Sequence, residues 1–182
     1  QKNNPTYRIG YESEADLKQK QQARVQEKIE RTLRKKKGVC QDYAWLFQAM
    51  LAEVGIECAF VSGYGRNNPM QMGRVPRNPD HAWNAAKLDG EWALFDLTWS
   101  TDVSAYGGNG FFMMPPAAFY KSHFPSDEKW LLMDSVPKLE DWANQIYWHK
   151  CYSSYKVQSI EVDGTEHQHY EVPYKSELII TT

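Results

Sequence analysis

His81-Ala82-Trp83-Asn84-Ala85-Ala86-Lys87-Leu88-Asp89-Gly90-Glu91-Trp92-Ala93-Leu94-Phe95-Asp96-Leu97-Thr98 is the stretch on which the fold turns. Asp89-Gly90 is a pair favoured in two-residue hairpin turns, because both central positions take the left-handed conformation that Asp and Gly tolerate. The flanking arms, 81–88 and 91–98, then pair antiparallel, with His81 opposite Thr98 and Trp83 opposite Asp96. In that register His81 and Asp96 are diagonal neighbours on one face, close enough for a side-chain hydrogen bond. A slip of one residue would send them to opposite faces. The turn therefore predicts an antiparallel sheet and an imidazole–carboxylate pair together.

Upstream of the hairpin, the spacing predicts two helices. Ser13-Glu14-Ala15-Asp16 resembles a capping box, and a helix is expected from there to about Lys37. Its apolar stripe, Val25-Ile29-Leu33, is thin, which predicts a surface helix. Arg34-Lys35-Lys36-Lys37 followed by Gly38 reads as its C-terminal signal. Cys40 opens the second helix, where Ala44, Phe47, Leu51 and Val54 recur at helical spacing and predict a central, buried element ended by Gly55. A strand over Ile56–Tyr64 follows, then a connection from Gly65 to Asp80 rich in Asn, Pro, Gly and Arg, long enough to suggest function or mobility. Beyond the hairpin, 100–110 reads as a loop and Phe111–Met114 as a buried strand. A short helix near Pro115-Pro116 and a helix over Pro137–Trp148 come next. Lys156–Val162 and Thr165–Val172 flank a second Asp-Gly turn, and Leu178–Ile180 reads as a further strand. The expected division is 1–149 as the main domain and 150–182 as a β-rich extension.

The chemistry-bearing residues fall in the order Cys40, His81, Asp96. A thiol becomes a good nucleophile when ionised, and a helix N-terminus favours the thiolate through its free N–H groups and dipole. His81 can take the thiol proton or pair with the thiolate, while Asp96 holds the ring in one tautomer. Taken singly, Cys40 reads as well as a small core residue and His81 as a satisfied interior histidine; helix start, register and order together favour a triad. A zinc site from the same residues is set aside, because no CxxC or HxxxH supplies further ligands and His167-Gln168-His169 reads as incidental. No cofactor is expected. Trp83, Asn84 and Trp99 are the substrate-binding candidates, with core packing the competing role for the tryptophans. Arg66, Arg74 and Arg77 suit either an acidic substrate group or a solvated loop.

Composition bounds these readings. Among 182 residues, 42% hydrophobic and 14% aromatic content argue against disorder. No long apolar run suggests a membrane-spanning helix. Residues 1–40 carry 11 Lys/Arg against 5 Asp/Glu, but the charges alternate along one helix, so a solvated face is preferred to a nucleic-acid arm. Three cysteines form no disulfide framework; Cys58 reads as a buried thiol and Cys151 as surface or core. The start at Gln1 is read as removal of an upstream segment, and export to the periplasm or outside the cell is the expectation. The sequence carries no signal for oligomeric state.

At Gly38-Val39-Cys40-Gln41-Asp42-Tyr43-Ala44, His81-Ala82-Trp83-Asn84-Ala85 and Phe95-Asp96-Leu97-Thr98-Trp99 the chain resembles the transglutaminase-like superfamily, which shares the papain-like cysteine protease core. Within it, the chain resembles bacterial proteins related to kyphoscoliosis peptidase. Gly55-Ile56, Val61-Ser62-Gly63-Tyr64, Asp89-Gly90-Glu91-Trp92 and the segment His123-Phe124-Pro125-Ser126-Asp127-Glu128-Lys129-Trp130 extend the likeness over about residues 38–133. The resemblance implies an α+β fold in which a Cys-bearing helix packs on an antiparallel sheet that supplies His and Asp. It implies acyl transfer at amide bonds through a thioester, with a protein or peptide as substrate. Hydrolysis of peptide or isopeptide bonds is the first reading. An amine acceptor, as in a transglutaminase, and a catalytically silent module that binds a protein or glycan are the alternatives. The superfamily commonly carries a Tyr- or Trp-containing segment ahead of the Cys helix; here the upstream stretch is short and polar, no Trp precedes Trp45, and a second oxyanion donor is left unassigned.

Overall fold

A computed structural model describes residues 10–100 and 110–145, together with the backbone of the strands at 159–162, 165–166 and 178–181. The architecture is α+β. Helix α1 (Glu14–Lys35) and helix α2 (Cys40–Glu53) lead into β1 (Cys58–Gly65). The central hairpin of β2 (His81–Leu88) and β3 (Glu91–Phe95) follows, then a short helix α3 (Leu97–Ser100). After it come β4 (Phe112–Met114), α4 (Pro116–Tyr120), β5 (His123–Pro125) and α5 (Leu139–Asn144). The sheet has five antiparallel strands in the order β4-β3-β2-β1-β5.

The hairpin forms in the register its turn dictates: Asn84 pairs with Phe95, Ala85 with Leu94 and Leu88 with Glu91. Asp89 and Gly90 both have positive φ, 52° and 90°, as a tight turn of this hand requires. The second arm is shorter than expected. It leaves the sheet after Phe95, because Asp96 caps a helical turn: its Oδ1 accepts from Trp99 N at 3.0 Å and its carbonyl from Ser100 N at 3.0 Å. Thr98 therefore lies in α3 and has no strand partner in His81.

β2 is the axis of the core, with its first six residues buried. Both faces are covered, so alternation gives way to continuous burial. On one face α2 packs across β2 and β1. On the other, Trp83, Ala85, Val61, Leu94, Phe111 and Phe119 form the main cluster. Asn84 pins the helix to the sheet, its Nδ2 donating to Ala44 O at 3.1 Å and Ala59 O at 3.2 Å.

α1 rides on α2 as a surface helix. Ser13 caps it through Oγ, which accepts from Asp16 N at 3.2 Å; the returning carboxylate bond goes to Glu12 N rather than to Ser13. Thr32, not Leu33, is its buried residue, and Leu33 is 62% exposed. The helix ends at Lys35 with Lys36 left-handed at φ 51°, so Gly38 is not its cap. Gly38 serves close approach instead, since a Cβ there would lie 2.8 Å from Asp42 Cβ.

Other departures have physical reasons. α2 is half-buried rather than enclosed: Met50 and Val54 are exposed and only Asp42 and Ala44 are fully buried. β4 is an edge strand with Phe112 and Met113 exposed at 45% and 52%, the buried member being the preceding Phe111. At the C-terminal end, β6 (Ser159–Val162) pairs with β7 (Thr165–Glu166) and with β8 (Leu178–Thr181), a separate three-stranded sheet. The anticipated loop over 101–109, the end of the last helix beyond 145, Cys151 and His167-Gln168-His169 lie outside the described residues.

Candidate active site

α2 begins at Cys40, and its first turn is fastened from two sides. Asp42 Oδ2 accepts from Val39 N at 3.1 Å, and the buried Asp42 carboxylate is answered by Lys28 and Arg31 of α1, each at 3.7 Å. These cations, rather than the exposed run Arg34–Lys37, are the positive charges held at the helix start. Cys40 thereby sits where helix N-terminus and sheet end meet, half-buried and opposite the first residue of β2.

That residue is His81, whose ring acts on the Cys40 sulfur. His81 Nε2 lies 2.6 Å from Asp96 Oδ2, which leaves Nδ1 as the ring nitrogen for the thiol. The predicted diagonal neighbours thus meet, although Asp96 has already left the strand. The hydrogen bond from His81 holds the Cys40 thiol below its ordinary value, against burial, with further help from the His81 charge and the backbone N–H groups of Ala82 and Gln41. Burial opposes the charged His81 ring, but the bonds to Asp96 and Cys40 outweigh it and push the ring up to about 9. Burial likewise opposes ionisation of Asp96, yet His123, His81 and their fields keep its carboxyl well below the usual range. Both shifts run toward the charged forms, thiolate and imidazolium, beside an ionised Asp96.

His123, on β5, is a partner that local spacing does not reveal. Its Nε2 lies 3.0 Å from the same Asp96 Oδ2. It arrives through long-range pairing of β5 with β1, which sets Gly65 opposite His123. Gly65 itself is needed for clearance: a Cβ there would lie 2.9 Å from His81 Cβ and 3.0 Å from its Cγ. Trp99 stacks on His81 with centroids 4.4 Å apart, so this substrate-binding candidate does face the site. Trp83 and Asn84 do not present a groove surface, each being 1% exposed. Trp83 packs against Phe119 and His123, and Asn84 spends its amide on Ala44, Ala59 and the Cys58 sulfur.

Among the arginines, Arg66 is buried and structural. Its Nη1 donates to Trp142 O and Gln145 O, both at 2.9 Å, its Nη2 to Lys121 O at 2.9 Å, and the guanidinium lies 4.8 Å over the Trp142 ring. Arg74 lines a small cavity of about 110 Å³ with Tyr64, Gln71, Pro76 and Asp80, next to the Gly65 that backs His81. Arg77 is exposed.

His81, Asp96 and His123 offer three ligand-type atoms within 4.8 Å of one another. An ion bound about 2.1 Å from two donors would hold those donors roughly 3 Å or more apart. The 2.6 Å separation of His81 Nε2 from Asp96 Oδ2 is that of a shared proton.

The transglutaminase-like superfamily model matches residues 4–97, a span that holds Cys40, His81 and Asp96. The chain belongs to the transglutaminase-like superfamily. It is 35% identical over 153 residues to kyphoscoliosis peptidase of Mus musculus, covering 79% of this chain and 22% of that protein. To kyphoscoliosis peptidase of Homo sapiens it is 36% identical over 127 residues, 65% of this chain and 19% of the relative. The chain thus spans about a fifth of the length of the curated relatives it matches. The transglutaminase-like fold is one of cysteine-dependent acyl transfer, and its α+β arrangement, with the Cys-bearing helix on an antiparallel sheet that ends in His and Asp, is the one described above. No described helix is long and apolar enough to cross a membrane.

Proposed function

We propose that this chain hydrolyses peptide or isopeptide bonds with Cys40 as nucleophile, His81 as acid and base, and Asp96 as the residue that orients His81. The observation that carries the reading is the buried His81–Asp96 pair, Nε2 to Oδ2 at 2.6 Å, placed so that its ring lowers the Cys40 thiol at the start of α2. The thiolate adds to the amide carbonyl carbon, and the developing oxyanion is held by backbone N–H groups near the helix start. Collapse breaks the C–N bond as His81 passes its proton to the departing amine, leaving a thioester on Cys40. His81, now neutral, draws a proton from water; attack on the thioester carbonyl releases the carboxylic acid and restores thiolate and imidazolium. No metal or cofactor enters this sequence.

Water rather than an amine is taken as the acceptor because the relatives carry the name peptidase. Incubation of the chain with protein substrates, read by mass spectrometry for new amino termini and for incorporation of a primary-amine probe, tests the proposal. Cleavage by wild type and none by Cys40→Ala is the expected result. Equal turnover in Cys40→Ala sinks the mechanism. Amine incorporation without cleavage would assign a transglutaminase, and neither activity, with a slow ordinary thiol, a silent binding module.

A further inference from the structure

Behind the His81–Asp96 pair lies a second imidazole held with equal care. His123 is 1% exposed, and its ring is boxed by Phe119 stacked at 3.9 Å, Trp99 at 4.5 Å, Trp83 at 5.0 Å and Phe111 at 5.3 Å. Nε2 meets Asp96 Oδ2 at 3.0 Å, while Nδ1 lies 2.9 Å from Ser122 Oγ and 3.3 Å from the Phe119 carbonyl. The titratable groups that face this ring are Asp96 from the end of β3 and His81 from β2.

A dry aromatic box disfavours an imidazolium, and it lowers the tendency of His123 to protonate despite the bond to Asp96. A neutral ring has one N–H. Asp96 accepts only, so the proton belongs on Nε2; Nδ1 is then an acceptor for the Ser122 hydroxyl at 2.9 Å, and its longer contact with the Phe119 carbonyl carries no proton. Asp96 consequently receives three donors: His81 and His123 on Oδ2, and Trp99 N on Oδ1. Two donors on one oxygen and a third on the other leave the carboxylate no freedom to turn away from His81.

We infer that His123 is a positioning residue, a fourth member of the Cys40–His81–Asp96 line, which as neutral Nε2–H tautomer fixed by Ser122 clamps Asp96 Oδ2 against His81. This inference rests on the thiol-enzyme reading for its catalytic consequence. Its structural content, the tautomer and the shared oxygen, stands independently of turnover.

The test is the pH profile of iodoacetamide alkylation at Cys40, read by peptide mass spectrometry so that the other thiols do not interfere. His123→Phe keeps an aromatic ring but no donor; the rate at pH 6.5 should fall roughly tenfold and the midpoint rise, as expected for loss of one hydrogen bond to a charged group. His123→Gln, whose amide N–H reaches the place of Nε2, should stay within about threefold of wild type. A wild-type profile in His123→Phe overturns the inference, as does equal loss in both variants, which would mark a packing role. Because a ring swap in a tight box can impair folding, nitrogen-15 NMR of the histidines supplies a second readout in the unaltered chain. His123 with a protonated Nε2 and a bare Nδ1, with that assignment disturbed in Ser122→Ala, supports the clamp; an Nδ1–H tautomer or an imidazolium overturns it. Slow ordinary alkylation of wild-type Cys40 would defeat the enzymatic reading separately, while the NMR arm still judges the clamp.

Discussion

Cys40 and Cys58 are both half-buried thiols, yet their surroundings drive them in opposite directions. Cys58 stands at the start of β1, where burial pushes its thiol up to about 11 and a single amide, Asn84 Nδ2 at 3.5 Å, pulls weakly against it. Cys40 stands at the other end of the sheet, at the start of α2, where an imidazole and two backbone N–H groups answer the sulfur charge. Burial is therefore not what separates the two thiols here; the number and charge of the donors is.

The largest break in this contrast should come from His81→Ala. Without the ring, Cys40 reverts toward an ordinary thiol that is about 1% ionised at pH 6.5, so alkylation there should slow roughly a hundredfold. Cys58 should react as slowly as before. A rate at Cys40 that survives the substitution would mean that helix position alone activates it.

Gly65→Ala sharpens the point geometrically. A methyl group 2.9 Å from His81 Cβ must displace the ring, and an ångström of displacement costs roughly ten- to a hundredfold in turnover while leaving the fold and Cys58 untouched. Full activity in this variant would show that the His81 position is not critical.

Asn84→Ala acts at the Cys58 end and should do the reverse. It strips the amide that ties α2 to β1, so stability should drop by about 1–3 kcal/mol in denaturant titration, with the Cys58 thiol rising further. The Cys40 alkylation profile should hold its midpoint; a large shift would mean that the two ends are coupled through α2.

The smallest effect is a pH dependence of stability. His81 is raised from 6.5 to about 9, so its charged contacts stabilise the fold fully below about 6.5 and are lost as pH rises through about 9. The Tm difference between wild type and His81→Ala should therefore shrink between pH 6 and pH 10. A difference that grows over that window would contradict the imidazolium assignment.

Much of this was legible in the chain. The Asp89-Gly90 turn set the register of β2 with β3, and that register delivers Asp96, one residue beyond the strand, to His81. The Cys40 helix start was readable from the apolar spacing that follows it. Hidden were the things that depend on non-local pairing or on one residue doing two jobs. Nothing near His123 announces that β5 will deliver it to Asp96, because that contact depends on where β1 ends. Arms of equal length about the turn carry the strand reading past Phe95, whereas the capping of α3 by Asp96 ends the strand there. For Trp83 the competing role of core packing holds, and Asn84 is buried with it, because α2 together with the aromatic cluster covers both faces of β2.

Asp96 divides its two oxygens between architecture and chemistry, Oδ1 capping α3 and Oδ2 holding the histidines. A lineage of such chains that abandoned catalysis would give up, with its cysteine, the bonds to His81 and two backbone N–H groups but no helix cap. Its aspartate would persist, held by the helix it starts. Surviving carboxylates are thus poor witnesses to activity in descendants of this chain, and the thiol is the position at which retirement would first become visible.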